Sequence, residues 1–472
     1  MKRWEDNEWS SSMEIKIDLT YAMAEKLGDD RGISPAEIDQ LTDRITSIHQ
    51  QLTEGRKSGR LGFYELPYND TAGILKTAKM IRNEFKNLVV LGIGGSALGT
   101  IAIQNALNGP FRGSREDHVN VFVTDNVDPD YFGSLLETLD IKETCFLVIS
   151  KSGTTAETMS QFMVVRDLVK KSGGENALSR QIFAITDPEK GCLREIALEE
   201  KYTILTIPPA VGGRFSVLSP VGLLPAAVMG VDIDEMLAGA RHIDKKCADP
   251  RLWENPAYTL GAVYYLADRK KGQNILVFMP YSNRLYSIAD WLRQLIAESL
   301  GKKYSLDGKE IFVGPTPIKA LGTTDQHSQL QLYMEGPFNK MITFFRVQSF
   351  DREVSIPVAF QGNDALNYLS GKDLGTLINA EQTATAIALA QNGRANITVT
   401  VPSINPFTIG QIFFLFEVTT VFMGSLYNIN PLDQPGVEES KKNTYAIMGR
   451  KGYEQRAKEI SSELTTSSNF IL

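Results

Sequence analysis

The sequence predicts an α/β protein made of two αβα domains, each a parallel sheet covered by helices on both faces. Two observations lead to this fold class. The chain has 472 residues, which is too long for one compact hydrophobic core. Short apolar runs also recur along it, separated by segments long enough for helices, as in sheets that are buried on both faces. The composition, with 43% hydrophobic and 22% charged residues, is that of an ordinary folded protein.

The first part of the chain, 1–60, is predicted to be a helical N-terminal segment. Ser34, Pro35 and Glu37 form the pattern of a capping box with proline at the first helical position. This part is expected to be helical because apolar residues then follow at helical spacing. They are Ile38, Leu41, Ile45, Ile48 and Leu52.

The first αβα domain is predicted at 61–228, where a different pattern begins. Because helix-length segments separate its apolar runs, the pattern indicates a parallel, doubly wound sheet. The five runs that suit buried strands lie at 87–95, 119–125, 145–153, 181–187 and 202–208.

The second αβα domain is predicted at 229–430, and the polar residues 431–472 are expected to form a C-terminal helical arm. One stretch in this half, 407–429, is long enough for a membrane span, yet it carries Glu417. A charge at the centre of a bilayer costs roughly 2.5–3.5 kcal/mol, so the stretch predicts a buried helix. The predicted strands of this half lie at 274–282, 310–317, 340–347 and 396–402.

Charge and residue counts exclude several classes of function. The 49 basic and 56 acidic residues give a net charge of −7, which argues against a nucleic-acid partner and against binding to an anionic membrane. The cysteines include no CxxC pair and the histidines no metal-ligand spacing, so neither a disulfide framework nor a metal site is predicted. The charged N-terminus has no apolar stretch of the secretory kind, which favours a cytoplasmic protein.

A glycine-rich loop at 92–96 follows the first predicted strand and precedes a predicted helix. Glycines there, Gly95 among them, would let backbone amides approach an anion at the helix N-terminus, and Ser96 adds a hydroxyl. The spacing differs from the dinucleotide fingerprint GxGxxG because Ala97 occupies the third glycine position. Phosphate binding and a tight strand-to-helix turn both remain open for this loop.

A second loop of the same kind lies at the end of the third predicted strand. Its hydroxyls, free amides and single cation suit a phosphate monoester, whereas the Walker motif GxxxxGK[ST] is absent. The alternative is that the hydroxyls only cap the following helix. Two such loops on neighbouring strands favour phosphate binding. The residues of the loop are Ser150, Lys151, Ser152, Gly153, Thr154 and Thr155.

Other candidates are weaker when taken one at a time. Arg214 follows two glycines and places a permanent cation at the end of a predicted strand. Gln294 and Glu298 are neighbours on one helix face, although a helical glutamate is usually solvated. His327 lies in a polar loop, and Lys441 would by default be an exposed helix lysine.

Six motifs occur together in the order of one known family. With these motifs, which span 92–442, the sequence closely resembles the glucose-6-phosphate isomerase family in its shorter bacterial form. Leu300 and Ser440 stand where many members have Asn and Gly. The motifs are GIGGSALG, SKSGTTAET, GGRFS, QLIAESLGK, TTDQHSQ and DQPGVEESKK.

The resemblance implies two sugar-isomerase (SIS-type) αβα domains, a homodimer and no cofactor. It assigns Glu298 to shuttling a proton between C2 and C1, and Arg214 to the enediolate intermediate. It assigns His327 and Lys441 to ring opening, with His327 supplied by the other subunit and oriented by Glu157. The implied substrate- and phosphate-binding residues are Gly95, Ser96, Ser150, Lys151, Ser152, Gly153, Thr154, Thr155, Gln294 and Gln434.

An enzyme of this family would interconvert glucose 6-phosphate and fructose 6-phosphate in glycolysis and gluconeogenesis. One carboxylate can make both proton transfers, and because no hydride moves, neither nicotinamide nor metal is required. A non-catalytic sugar-phosphate sensor of the same fold is an alternative, but it has no need of Glu298, His327 and Lys441 together. An aminosugar enzyme is another, yet a transamidase would need an N-terminal cysteine where this chain has Lys2.

Overall fold

The computed structural model describes residues 2–109 and 119–463. Over these residues the strands form two five-stranded sheets and one two-stranded ribbon. The last part of the predicted C-terminal arm, 464–472, lies outside the described residues. The α/β class with parallel sheets is confirmed.

The N-terminal segment is mainly helical, as predicted, and also contributes one strand. The capping box is confirmed, because the Ser34 hydroxyl accepts from the Glu37 amide and the Glu37 carboxylate accepts from the Ser34 amide. The helical stretch is interrupted at Gln40 and Leu41, whose ψ angles of −18° and −5° depart from the α-helical value. The elements are α1 (Asn7–Ser12), β1 (Lys16–Asp18), α2 (Ala24–Leu27), α3 (Pro35–Asp39) and α4 (Thr42–Lys57).

The first sheet contains all five strands predicted in the first half, and every neighbouring pair is parallel. Its strands are β2 (Asn87–Leu91), β3 (Asn120–Thr124), β4 (Thr144–Ile149), β5 (Ile182–Thr186) and β6 (Thr203–Thr206). Its helices are α5 (Ala72–Glu84), α6 (Leu98–Leu107), α7 (Pro129–Thr138), α8 (Ala156–Gly173), α9 (Glu175–Gln181) and α10 (Cys192–Glu199).

The strand order of this sheet is β3-β2-β4-β5-β6. The chain therefore moves to one side after β2 and to the other side after β4. Connections that leave two adjacent parallel strands in opposite directions open a crevice at the carboxyl ends of those strands. The two loops singled out in the sequence are the ones that follow β2 and β4.

The second sheet has the order β1-β12-β11-β7-β10, with β1 as an antiparallel edge strand and the other pairs parallel. Its strands besides β1 are β7 (Ile275–Pro280), β10 (Thr316–Lys319), β11 (Lys340–Val347) and β12 (Asn396–Val401), and the ribbon pairs β8 (Lys302–Tyr304) with β9 (Glu310–Val313). Helix α11 (Pro220–Val228) packs on α5 and α6 of the first half. The later helices are α12 (Ile233–Cys247), α13 (Pro256–Lys271), α14 (Tyr286–Leu300), α15 (Leu330–Glu335), α16 (Asp364–Asn367), α17 (Leu374–Gln391), α18 (Pro406–Tyr427), α19 (Glu438–Ile447) and α20 (Glu454–Glu463).

The run at 310–317, predicted as one strand, is two strands in different sheets. Gly314, with φ +126°, and Pro315 separate β9 from β10. Proline lacks the amide that a ladder needs, and a Cβ at Gly314 would lie 2.5 Å from the carbonyl oxygen of Leu300. The break therefore lets the chain pass close to the end of α14.

The stretch predicted as a buried helix is α18. It is the one helix in the described part of the chain with the length and hydropathy of a membrane span, and 94% of that window is buried inside the protein. The backbones of α18 and α12 are in direct contact at two glycines. A Cβ at Gly239 would lie 1.8 Å from the main-chain oxygen of Phe407, and a Cβ at Gly410 would lie 1.9 Å from the main-chain oxygen of Met236. Only glycine fits at these two crossing points.

Glu417 is fully buried in the middle of α18. Neither of its carboxyl oxygens has a hydrogen-bond partner among the described residues. Loss of hydration raises the pKa of Glu417 well above its ordinary value. Burial therefore favours the neutral carboxylic acid form of this side chain.

One cluster of buried apolar side chains is continuous across both halves of the chain. It runs from Leu88 on β2 through Leu224 on α11 and Phe416 on α18 to Phe345 on β11. Smaller clusters cover the outer face of each sheet. The predicted domain boundaries at 60, 228 and 430 stay predictions.

Candidate active site

The loop after β2 is held against a second glycine turn that carries Arg214. A Cβ at Gly95 would lie 2.2 Å from the carbonyl carbon of Gly213, so glycine is needed for the two backbones to touch. Ser96 ends the 3-10 turn that precedes α6. Its hydroxyl makes no hydrogen bond within the described chain and is free to receive a ligand.

The loop after β4 presents hydroxyls without using them to cap α8. Thr155 occupies the N-cap position, but its side chain accepts no hydrogen bond from the first turn of the helix. The exposed Ser152 accepts from the Thr154 amide over 3.3 Å. The buried Ser150 accepts from the Gly153 amide over 3.1 Å and so shapes the loop from behind. The capping alternative is therefore wrong for this helix, whose first amides remain available to an anion.

Lys151 has a structural partner that the sequence did not indicate. Its ammonium donates to the carbonyl of Pro209 over 2.6 Å and to that of Val211 over 2.9 Å. Burial lowers the pKa of Lys151. Two of the three ammonium protons thus tie the loop after β4 to the segment leading to Arg214, and one proton is left for a ligand.

Arg214 is buried and joins three parts of the chain. Its guanidinium makes five hydrogen bonds, which is the full donor capacity of arginine. Burial lowers the pKa of Arg214, and the Glu298 carboxylate opposes that shift. The acceptors are Ser299 Oγ (2.7 Å), Glu298 Oε1 (2.9 Å), Gln434 Oε1 (3.0 Å), the Pro431 carbonyl (2.7 Å) and the Asp433 carbonyl (3.0 Å).

Both carboxylate oxygens of Glu298 are oriented by the protein. Oε1 accepts from Arg214 and Oε2 accepts from the amide of Gln294 over 3.0 Å. The side chain is 26% exposed, so it still faces the crevice. Gln294 in turn lies against the loop after β2, since a Cβ at Gly94 would lie 2.9 Å from its Nε2. The glycine loop, Gln294, Glu298 and Arg214 therefore form one connected group.

Lys302 is a member of this group that sequence reasoning missed. Its buried ammonium donates to the carbonyl of Glu298 over 2.8 Å and to that of Asp433 over 3.0 Å. Burial, and after it the charge of Arg214, lowers the pKa of Lys302. A lysine just past the end of a helix commonly bonds the last carbonyls, and this rule applied to the QLIAESLGK motif could have found it.

His327 lies apart from this group within one chain. It is exposed at the end of the 3-10 turn Thr324–His327, and its ring has no hydrogen-bond partner among the described residues. The turn itself is firmly held, because Asp325 accepts from the Leu321 amide and the Ser328 hydroxyl over 2.6 Å each. Glu157, on the first turn of α8, makes no side-chain bond to His327 within the described chain.

Lys441 is also outside the Glu298 group. It is exposed on α19 and pairs with Glu438 over 2.8 Å. The helix begins directly after the segment 431–437, whose first half Arg214 and Lys302 hold through main-chain carbonyls. In the described part of the chain, no group of three His, Cys, Asp or Glu side chains could hold a metal ion.

The chain matches the phosphoglucose isomerase family over residues 72–469. It is 45% identical over 460 residues to the glucose-6-phosphate isomerase of Carboxydothermus hydrogenoformans, a match that covers 95% of this chain and 97% of the relative. The enzyme of the same name from Rubrobacter xylanophilus is 41% identical over 92% of this chain and 99% of its own. Among solved structures, a hypothetical protein from Thermus thermophilus has a TM-score of 0.82 at 33% identity, covering 92% of this chain and 100% of that one.

Proposed function

The chain belongs to the phosphoglucose isomerase family and is an aldose-ketose isomerase, and we propose that Glu298 carries its interconversion of glucose 6-phosphate and fructose 6-phosphate. The observation that supports this role is the carboxylate of Glu298, held at one oxygen by Arg214 and at the other by Gln294 beside the crevice. The reaction would serve glycolysis and gluconeogenesis. A cytoplasmic location fits the three cysteines, all of which are free thiols.

Phosphate binding is the task of the two loops after β2 and β4. Ser96 and Ser152 would donate their hydroxyl protons, and so would Thr155, whose hydroxyl pairs with that of Ser150 over 3.1 Å. The first amides of α8 add favourable potential for a dianion. Ser150 and Lys151 would mainly hold the shape of the loop rather than bind the phosphate, because both side chains already have hydrogen-bond partners inside the protein. At Gly95, Gly153 and Thr154 the main chain, rather than a charged side chain, would approach the phosphate.

Glu298 removes the proton from C2 of the open-chain sugar and returns it to C1. A carboxylate whose oxygens are both oriented loses little entropy in reaching the proton. Arg214 acts on the enediolate through its charge, since its five donors are already used. Gln434 accepts one of those donors and so keeps the guanidinium in place.

Ring opening is assigned to His327 and Lys441 in a homodimer. The support is that the His327 ring is exposed on a rigid turn without a partner of its own among the described residues, at a position from which it bonds no member of the Glu298 group. In the dimer, His327 would enter the site of the other subunit, where Glu157 would orient it. Lys441 would approach the ring oxygen from α19.

A coupled assay tests the function. Purified protein with fructose 6-phosphate should produce glucose 6-phosphate without added metal, and Glu298→Gln should lower kcat by about 10²- to 10⁴-fold, as expected for loss of a general base. Glu137→Gln, an exposed helix position, is the matched control and should retain activity. Binding of the sugar phosphate without turnover by the wild type would indicate a sensor instead, and faster turnover of glucosamine 6-phosphate would indicate an aminosugar isomerase.

A further inference from the structure

Two arginines from distant parts of the chain contact the ring of Phe338. The guanidinium carbons of Arg31 and Arg394 each lie 3.6 Å from the centroid of that ring. At that distance each guanidinium is in cation–π contact with the ring. The edge of the ring remains open, because Phe338 is 44% exposed.

Neither arginine has an acidic partner in the described part of the chain. No hydrogen bond from either guanidinium and no ion pair with either is made by the described residues. Arg394 is only 8% exposed, and its Nε is buried without an acceptor. Burial, and after it the charge of Arg31, lowers the pKa of Arg394. In a chain of net charge −7, this pair is a local positive site that the described residues leave uncompensated.

The residues around the pair hold it in place. A Cβ at Gly393, which has φ +67°, would lie 2.3 Å from Nη1 of Arg31, so glycine is needed for the side chain of Arg31 to lie there. Gln273 donates to the carbonyl of Arg31 over 2.9 Å. Lys340 adds a third cation, and burial followed by the charge of Arg394 lowers the pKa of Lys340.

The position is separate from the candidate active site. Arg31 follows α2, Phe338 precedes β11 and Arg394 precedes β12, so the three meet at the amino ends of parallel strands of the second sheet. No hydrogen bond or ion pair in the described part of the chain joins them to Arg214 or Glu298. The pair is therefore not part of the machinery assigned to isomerisation.

We propose that Arg31 and Arg394 bind a phosphate dianion at the exposed edge of Phe338. Two guanidinium groups against one ring can both donate charge-assisted hydrogen bonds of about 2.9 Å to the oxygens of one tetrahedral oxyanion. Guanidinium groups match phosphate geometry. The ligand is inorganic phosphate or the phosphate group of a small metabolite.

Crystals soaked in selenate, a tetrahedral dianion with an anomalous scatterer, locate the site directly. We expect one peak at the Ser152 loop and a second beside Phe338 between Arg31 and Arg394. Absence of the second peak overturns this proposal, whereas absence of the first would count against the phosphate loops of the proposed function. The two failures are thus distinguishable.

Equilibrium dialysis with labelled inorganic phosphate tests the site in solution. The wild type should bind two equivalents per chain, and Arg394→Met should bind one. Arg180→Met is the matched control, because Arg180 is exposed and packs on a single ring, that of Phe85, and it should still bind two. If Arg394→Met fails to fold, Arg31→Met must show the same loss.

The pattern of results assigns the source of the phosphate. Displacement of both labelled equivalents by glucose 6-phosphate would show that sugar phosphates occupy the second site, and displacement of one would show a site for inorganic phosphate. Equal binding by the wild type and both variants would mean that any crystal peak beside Phe338 is an adventitious ion only, and the proposal would be wrong.

Discussion

Arg214 and Lys302 donate to the same acceptor, the main-chain carbonyl of Asp433, each over 3.0 Å. Two buried cations therefore meet at one oxygen beside the Glu298 carboxylate. They also attach the segment before α19 to the end of α14, so the positions of Glu298 and of the helix bearing Lys441 are coupled.

Lys302→Met should impair catalysis more than substrate binding. The substitution removes the lysine donor from the Glu298 carbonyl, leaves the Asp433 carbonyl with Arg214 alone and weakens the hold on the segment before α19. We expect kcat to fall by about 10-fold or more and KM to change by less than about threefold. Steady-state kinetics measure both values. Lys303→Met removes the adjacent exposed lysine, which pairs with Glu310, and should be silent; equal kinetics for the two variants would remove Lys302 from the site.

Ser152→Ala should weaken binding of 6-phosphogluconate by about 10- to 100-fold, because a charge-assisted hydrogen bond is worth roughly 1.5–3 kcal/mol. Its melting temperature should hardly change, since the exposed hydroxyl serves no core contact. Calorimetric titration measures the affinity, with free glucose as the unphosphorylated comparison. Ser160→Ala, on the exposed side of α8, is the control and should bind normally. A defect in melting temperature alone would mean that Ser152 is structural.

Mixed dimers should recover activity that neither parent has. Glu298→Gln and His327→Ala homodimers are each expected to be inactive. After subunit exchange, one site of every heterodimer would contain both intact residues, so coupled assays should show activity in the mixture. If exchange is confirmed by native mass spectrometry and no activity returns, His327 acts within its own chain.

Glu417 should make stability fall as the pH rises. Its pKa is raised in the folded protein, so between the pKa of the unfolded chain, about 4.3, and the folded pKa the native state holds a proton that the unfolded state has lost. The free energy of unfolding should then decrease by up to about 1.4 kcal/mol per pH unit from this group. Urea unfolding from about pH 5 to about pH 8 measures the slope, which Glu417→Gln should remove.

The exposed Glu54→Gln is the control for that experiment and should leave the slope unchanged. Parallel slopes for the wild type and Glu417→Gln would mean that Glu417 is ionised in the fold. The protein would then have to supply a partner for the carboxylate that the described residues do not contain.

The sequence was informative where a local pattern determines the structure. Buried parallel strands are continuous apolar runs, which is why the strands of the first sheet could be predicted from composition alone. The Gly-Pro pair at 314–315 is a local signal for a break, but the apolar residues on both sides of it favour one continuous strand. Glu298 and Gln294 could be placed together because they are four residues apart on one helix.

Side-chain direction in the site could not be predicted in the same way. Lys151 lies among hydroxyls in sequence, yet its ammonium bonds carbonyls near residue 210 that only the folded chain brings close. The partners of Arg214 come from positions more than 80 residues away. The pairing of β1 with β12 likewise joins residues 16–18 to residues 398–400, and no local periodicity indicates it.

The apolar cluster shared by both sheets determines how the protein unfolds. Because buried side chains on α11 and α18 belong to one apolar cluster that also contains strand residues of both halves, neither half should lose its packing while the other keeps its own. Local unfolding at one end of the molecule should therefore unfold the whole chain. Partial proteolysis should leave no stable half-sized fragment. The expected products of proteolysis are intact chains and small peptides, with no fragments of intermediate size.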